Sequence, residues 1–120
     1  MTIITNSFYD DRCYLEISGH ACPSDGDGYC MPYEDDGSDG ETERACAAVS
    51  VLVMTVTEKL RRFESDGAFI SSDVTVEPGY ACFDLEIRRG YSDEIRNLLD
   101  TIMLGFELLE ENYPDCVSVA

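Results

Sequence analysis

The chain has one histidine, His20, and one of its six cysteines, Cys46, falls at the start of an apolar helical run. A thiol becomes a nucleophile near neutral pH when a base takes its proton, and imidazole is the side chain whose ordinary titration range suits that task. Cys46 lies in Ala45-Cys46-Ala47-Ala48-Val49-Ser50, which reads as the first turns of a buried helix preceded by polar residues able to cap it. The amides and partial positive charge of a helix N-terminus favour thiolate over thiol. Glu43, three residues earlier, shares the helical face of Cys46. Its carboxylate is placed to orient an imidazole lying between the two; facing the sulfur directly, it would oppose the thiolate.

This set points to acyl transfer. His20 takes the Cys46 proton, the sulfur attacks a peptide carbonyl, and His20 returns the proton to the leaving amine before activating water to release the acyl group. Backbone amides at the helix start, around Ala47, are candidate donors to the oxyanion. Ser50, one turn after Cys46, reads as a packing or back-bonding residue.

The elements that must hold these residues are legible from periodicity. Thr2 to Tyr9 is rich in β-branched and aromatic residues, and Asp10-Asp11 turns the chain back into Cys13 to Ser18. There Cys13, Leu15 and Ile17 alternate with Tyr14, Glu16 and Ser18, the period of a strand with one buried face. The hairpin ends at Gly19-His20, where glycine lets the chain leave the sheet and the strand end fixes the base. Turn formers and carboxylates crowd the stretch from Asp25 to Gly40, which can supply no core and reads as an acidic loop.

From about Glu43 to Phe63, Ala45, Ala48, Val49, Leu52, Val56, Leu60 and Phe63 recur at helical intervals. Val51, Val53 and Met54 add apolar surface on other faces, so a second face is expected to meet a partner subunit or the other helix. Ala68 to Val76 and Tyr80 to Arg88 form a hairpin around Glu77-Pro78-Gly79, with Ala81, Phe83, Leu85 and Ile87 toward the core. Ser92 is the expected cap of a second helix bearing Ile95, Leu98, Leu99, Ile102, Phe106 and Leu109, ending near Tyr113-Pro114. Cys116 to Val119 is a short last strand. The predicted fold is α/β (α+β): a two-layer sandwich, with two helices on one face of a mixed, largely antiparallel sheet of about five strands.

Gly19-His20-Ala21 and Cys46-Ala47-Ala48-Val49-Ser50 resemble the paired motifs of the bacterial ribosomal-processing cysteine proteases (the Prp family). In that family a Gly-His dipeptide ends an early strand and a Cys-Ala-Ala-Val-Ser run opens the first long helix. The element order read above is also similar, over almost the whole chain. The resemblance implies a cytoplasmic, homodimeric endopeptidase with Cys46 as nucleophile and His20 as base. Its substrate would be the N-terminal extension of a large-subunit ribosomal protein, the twenty-seventh of its series, and phage capsid or scaffold proteins are further substrates of such enzymes. Where the family carries an aspartate three residues before the cysteine, this chain has Glu43, one methylene longer. The 25 residues between His20 and Cys46 exceed the family's usual loop, and the excess is acidic. A loop that joins the two catalytic residues is expected to flank or cover the cleft.

Composition bounds the alternatives. The 120 residues, 44% of them hydrophobic, suit one domain over residues 1–120 with an acidic insertion at about 22–41. Residues 1–9 lack the basic start and apolar run of a signal peptide, and no stretch is long enough to span a bilayer, so the reading is cytoplasmic and without a membrane partner. Eight basic residues against 25 acidic ones give a net charge of −17, which argues against nucleic acid. The same charge would attract basic polypeptides, or serve solubility alone; the salt dependence of cleavage separates the two.

Without a secretory signal the cysteines do not read as a disulfide scaffold. His20, Cys22, Cys30 and Cys46 are four possible zinc ligands, but no Cys-x-x-Cys knuckle supports them. Asp35, Asp39 and Gly40 fit part of a calcium loop whose twelfth position is Cys46 instead of glutamate. No metal or cofactor is therefore assigned. Cys13, Cys82 and Cys116 read as small apolar fillers, and Cys22 with Cys30 leaves room for a regulatory disulfide in the loop. The competing reading is a non-catalytic dimeric adaptor that binds basic proteins through its acidic loop, for which both His20 and Cys46 would be superfluous.

Overall fold

The computed structural model describes residues 1–19 and 40–120. Two hairpins form most of its sheet: β1 (Thr2–Tyr9) with β2 (Arg12–Ser18), and β3 (Phe69–Glu77) with β4 (Tyr80–Ile87). Between them runs α1 (Glu41–Ser65); after them come a 3-10 turn (Arg89–Tyr91), α2 (Ser92–Asn112) and β5 (Val117–Val119). The strand order is β3-β4-β2-β1-β5, antiparallel except where β5 pairs with β1 in parallel. This is the two-layer α+β arrangement expected from the periodicity.

Alternation decides which face the helices cover. Cys13, Leu15 and Ile17 of β2 and Ala81, Phe83, Leu85 and Ile87 of β4 are buried. The antiparallel register sets Leu15 beside Phe83 and Ile17 beside Ala81, so one face of the two central strands is continuous and apolar. Onto it α1 packs Ala45, Val49, Val56, Leu60 and Phe63, and α2 packs Ile95, Leu99, Ile102, Met103 and Phe106. Burying one such large side chain stabilises by about 1.5–3 kcal/mol. The ion pairs found among the described residues, Arg12 with Asp84 and Arg61 and Arg62 with Glu58, are solvent-exposed and each adds about 0–1 kcal/mol. The apolar layer therefore holds the helices to the sheet.

Three local readings change. Helix α1 starts at Glu41, two residues before the first position read from periodicity, because Gly40 adopts a left-handed conformation (φ 75°) and its carbonyl accepts the first helical bond from Arg44 N–H at 3.0 Å. Ser92 does not cap α2: Tyr91 occupies the cap position, and the Ser92 hydroxyl donates instead to the Asp11 carboxylate at 2.5 Å. The hydroxyl proton thus goes to a charged acceptor, which makes a stronger bond than a neutral one. Cys13 and Cys116 are core fillers, but Cys82 is half-buried on the opposite sheet face, across from Glu16, whose carboxylate accepts the hydroxyls of Tyr14 at 2.7 Å and Tyr80 at 3.1 Å.

The second face of α1 divides. Leu52 is half-buried against α2, whereas Val51 and Met54 are 59% and 68% exposed. At the far edge of the sheet, β3 is exposed along nearly its whole length, and Ile70, Val74 and Val76 contribute apolar surface there.

Candidate active site

The β1–β2 hairpin and α1 meet at a cleft of about 270 Å³. Cys46 and Val49 line it from α1, Ile17 and Gly19 from the end of β2, Thr2 from β1, and Glu77, Pro78, Gly79 and Tyr80 from the turn into β4. Ser50, Val53, Met54 and Ala81 complete a largely apolar wall with a single carboxylate, that of Glu77. Cys46 reaches this wall because it follows Ala45, which is fully buried, by one helical step of about 100°. It is thus half-buried beside the core.

Gly19 is held from several directions. Its N–H donates to the Gly79 carbonyl at 2.8 Å, and its carbonyl accepts the Thr2 hydroxyl at 3.2 Å. Its φ of 87° is one that side-chain-bearing residues avoid, and a Cβ there would overlap the Met1 carbonyl oxygen. Glycine is required at this strand end by both backbone conformation and space. Thr2 is itself fully buried.

His20 lies outside the described residues, as do Cys22, Cys30 and the acidic stretch up to Asp39. Cys46 and Gly19, the residue before His20, are brought to one cleft. Glu43 and Ala47 are exposed on α1 and do not line it. With α1 beginning at Glu41, Cys46 stands on the second turn, whereas the macrodipole acts mainly within the first. The amide of Ala47 falls where helical N–H groups bond the carbonyl four residues back; the first-turn amides left outside that ladder belong to Glu41, Thr42 and Glu43.

The remaining described cysteines sit elsewhere. Burial, with a smaller contribution from Asp84, pushes the Cys13 thiol up to about 12. Burial also raises Cys116, opposed in part by the Thr42 hydroxyl. Among the described residues no three His, Cys, Asp or Glu side chains gather as a metal site, and no helix is long and apolar enough to cross a membrane. The zinc set read from sequence falls mostly outside the described residues. Sequence reading missed Thr2 and the Glu77–Tyr80 wall: Pro78-Gly79 signals a turn, but only the register of β4 on β2 carries that turn to the cleft.

Solved structures share this architecture. The Streptococcus mutans protein SMU.848 superposes with a TM-score of 0.62 at 22% identity, over 99% of this chain and 91% of that one. The Staphylococcus aureus ribosomal processing protease Prp in complex with a substrate peptide gives 0.62 at 16% identity, over 100% of this chain and 98% of that one. The same S. aureus protein with a covalently linked product peptide gives 0.60 at 16% identity, over 99% and 97%. No curated protein matches the chain in sequence. The family model described as cysteine protease Prp matches residues 2–118, a span that holds both motifs and every element lining the cleft. The chain belongs to the Prp family of cysteine proteases.

Proposed function

We propose that the protein is a cysteine endopeptidase in which Cys46 attacks the scissile carbonyl and His20 serves as general base and then general acid. The observation that carries this reading is the convergence of Cys46 and Gly19 on one cleft, with His20 next in the chain after Gly19. The apolar walls exclude water from the reacting atoms, and the open side admits an extended peptide. Glu43 is the proposed orienter of His20, a role that requires its carboxylate to swing toward the cleft from an exposed position on α1. Oxyanion donors are assigned to backbone amides of the helix start, with Ala47 serving if it shares an N–H already used by the helix.

The proposed substrate is the N-terminally extended precursor of a large-subunit ribosomal protein, the twenty-seventh of its series, with phage capsid or scaffold proteins as further substrates. Support comes from the family and from the S. aureus relative, a ribosomal processing protease. Charge fits as well, since ribosomal proteins bind RNA through lysine and arginine and this chain carries −17. We further propose one cytoplasmic domain over residues 1–120 with an acidic insertion at about 22–41, paired as a homodimer through the exposed α1 face.

The test mixes the purified protein with the extended precursor from the same genome, alongside Cys46→Ala and His20→Ala, and follows the precursor by mass. Loss of a short N-terminal segment with wild type alone is the expected result. An intact precursor and intact phage structural proteins would overturn the reading and favour an acidic adaptor.

A further inference from the structure

We propose that Thr2 is a positioning residue for the reaction, its buried hydroxyl holding the strand end that leads into the base. The inference rests on the assignment of His20 and Cys46 above. The Cys116 carbonyl accepts the Thr2 N–H at 2.8 Å, the Thr2 hydroxyl donates to the Gly19 carbonyl at 3.2 Å, and the Gly19 N–H donates to the Gly79 carbonyl at 2.8 Å. One run of hydrogen bonds thus passes from Cys116 through Thr2 to the strand end and on to the far wall of the cleft.

Packing alone does not explain the residue type. Thr2 is fully buried and is the buried polar side chain among the described residues. Valine would fill the same volume on the same β-branched frame without a hydroxyl to desolvate. What threonine adds is the bond to the Gly19 carbonyl, which belongs to the peptide group joining Gly19 to His20. Holding that oxygen fixes the orientation of the peptide group that leaves Gly19, at a position where any side chain would overlap the Met1 carbonyl. Relaxing it would misplace a base that must sit within hydrogen-bond reach of the thiol.

Wild type, Thr2→Val, Thr2→Ser and His20→Ala are compared in two assays: cleavage of the extended precursor, and alkylation of Cys46 by iodoacetamide from about pH 5 to about pH 9, with the label located by peptide mass. His20→Ala is expected to shift the alkylation profile toward that of an ordinary thiol. Thr2→Val should move it the same way and lower kcat about tenfold with KM little changed, while Thr2→Ser stays within about twofold of wild type. A Thr2→Val protein that matches wild type in kcat and alkylation profile, while His20→Ala differs, overturns the positioning role. If His20→Ala alkylates like wild type, the Cys–His pairing fails and this role fails with it. Should Thr2→Val not fold, Thr2→Ala removes the same hydroxyl with a smaller side chain; it is expected to give the same shift, and a wild-type profile there overturns the proposal.

Discussion

Leu52 of α1 sits over Gly105 of α2, with its two methyl carbons 3.0 and 3.1 Å from where a Gly105 Cβ would be. The two helices approach here because α2 presents no side chain at the crossing, and the half-buried Leu52 fills the space. Since α1 carries Cys46, the contact helps set the height of the nucleophile over the sheet.

Gly105→Val is expected to destabilise by about 1–3 kcal/mol, because two further methyl groups meet Leu52 with nowhere to go. Gly105→Ala should fall within about 1 kcal/mol of wild type, since the helix-propensity gain offsets displacement of a flexible side chain. Urea denaturation read by circular dichroism orders the three proteins. A Gly105→Val protein as stable as wild type would mean that the helices are not in close contact.

Gly19→Ala combines a left-handed φ with an overlap on the Met1 carbonyl. A loss of about 2 kcal/mol or more in stability is expected, together with a fall in precursor cleavage larger than unfolding accounts for. Measuring kcat well below the variant's melting temperature separates the two effects.

Much of this arrangement was legible in the sequence, for reasons particular to each segment. β2 and β4 announced themselves because one face is buried and the other is not, so Cys13-Leu15-Ile17 and Ala81-Phe83-Leu85-Ile87 alternate cleanly. The start of α1 was hidden, since Glu41 and Thr42 are polar and continue no apolar period, and Gly40 gives no side-chain cap. Ser92 misled because its hydroxyl finds a partner 81 residues away, at Asp11, which no local pattern encodes. The nucleophile could be read from its motif, but the cleft around it is assembled by register: Thr2, Gly19 and Gly79 converge only once β1, β2 and β4 are paired.

The raised Cys13 thiol makes a stability prediction at alkaline pH. Its value in the fold, about 12, exceeds the ordinary 9.0, so the folded state keeps a proton that the unfolded chain releases. The contribution is fully present below about pH 9 and is lost as pH rises toward about 12, at up to about 1.4 kcal/mol per pH unit. Cys13→Ala or Cys13→Val, though less stable at neutral pH through altered packing, should show a shallower decline over that window. Urea midpoints measured from about pH 8 upward give the slopes, and equal slopes would refute the assignment.

If copies pair through α1, the exposed Val51 and Met54 are the apolar centre of the contact. Met54→Glu should then shift the protein to a monomer in light scattering while leaving its circular dichroism spectrum unchanged. A wild-type protein already monomeric at micromolar concentration would remove the homodimer from the proposal.

β3 ends the sheet with one strand neighbour, so its outer row of backbone N–H and C=O groups is a template for further strands, flanked by Ile70, Val74 and Val76. Asp73 stands directly across from Asp84 of β4, a like-charge pair that costs the hairpin stability, and Glu77 closes the same strand. Those carboxylates act as gatekeepers against ribbon growth, at the expense of a stronger sheet. Solutions of wild type should therefore remain monodisperse, whereas Asp73→Asn, which removes one gatekeeping charge, should polymerise through this edge more readily, a difference that light scattering would report.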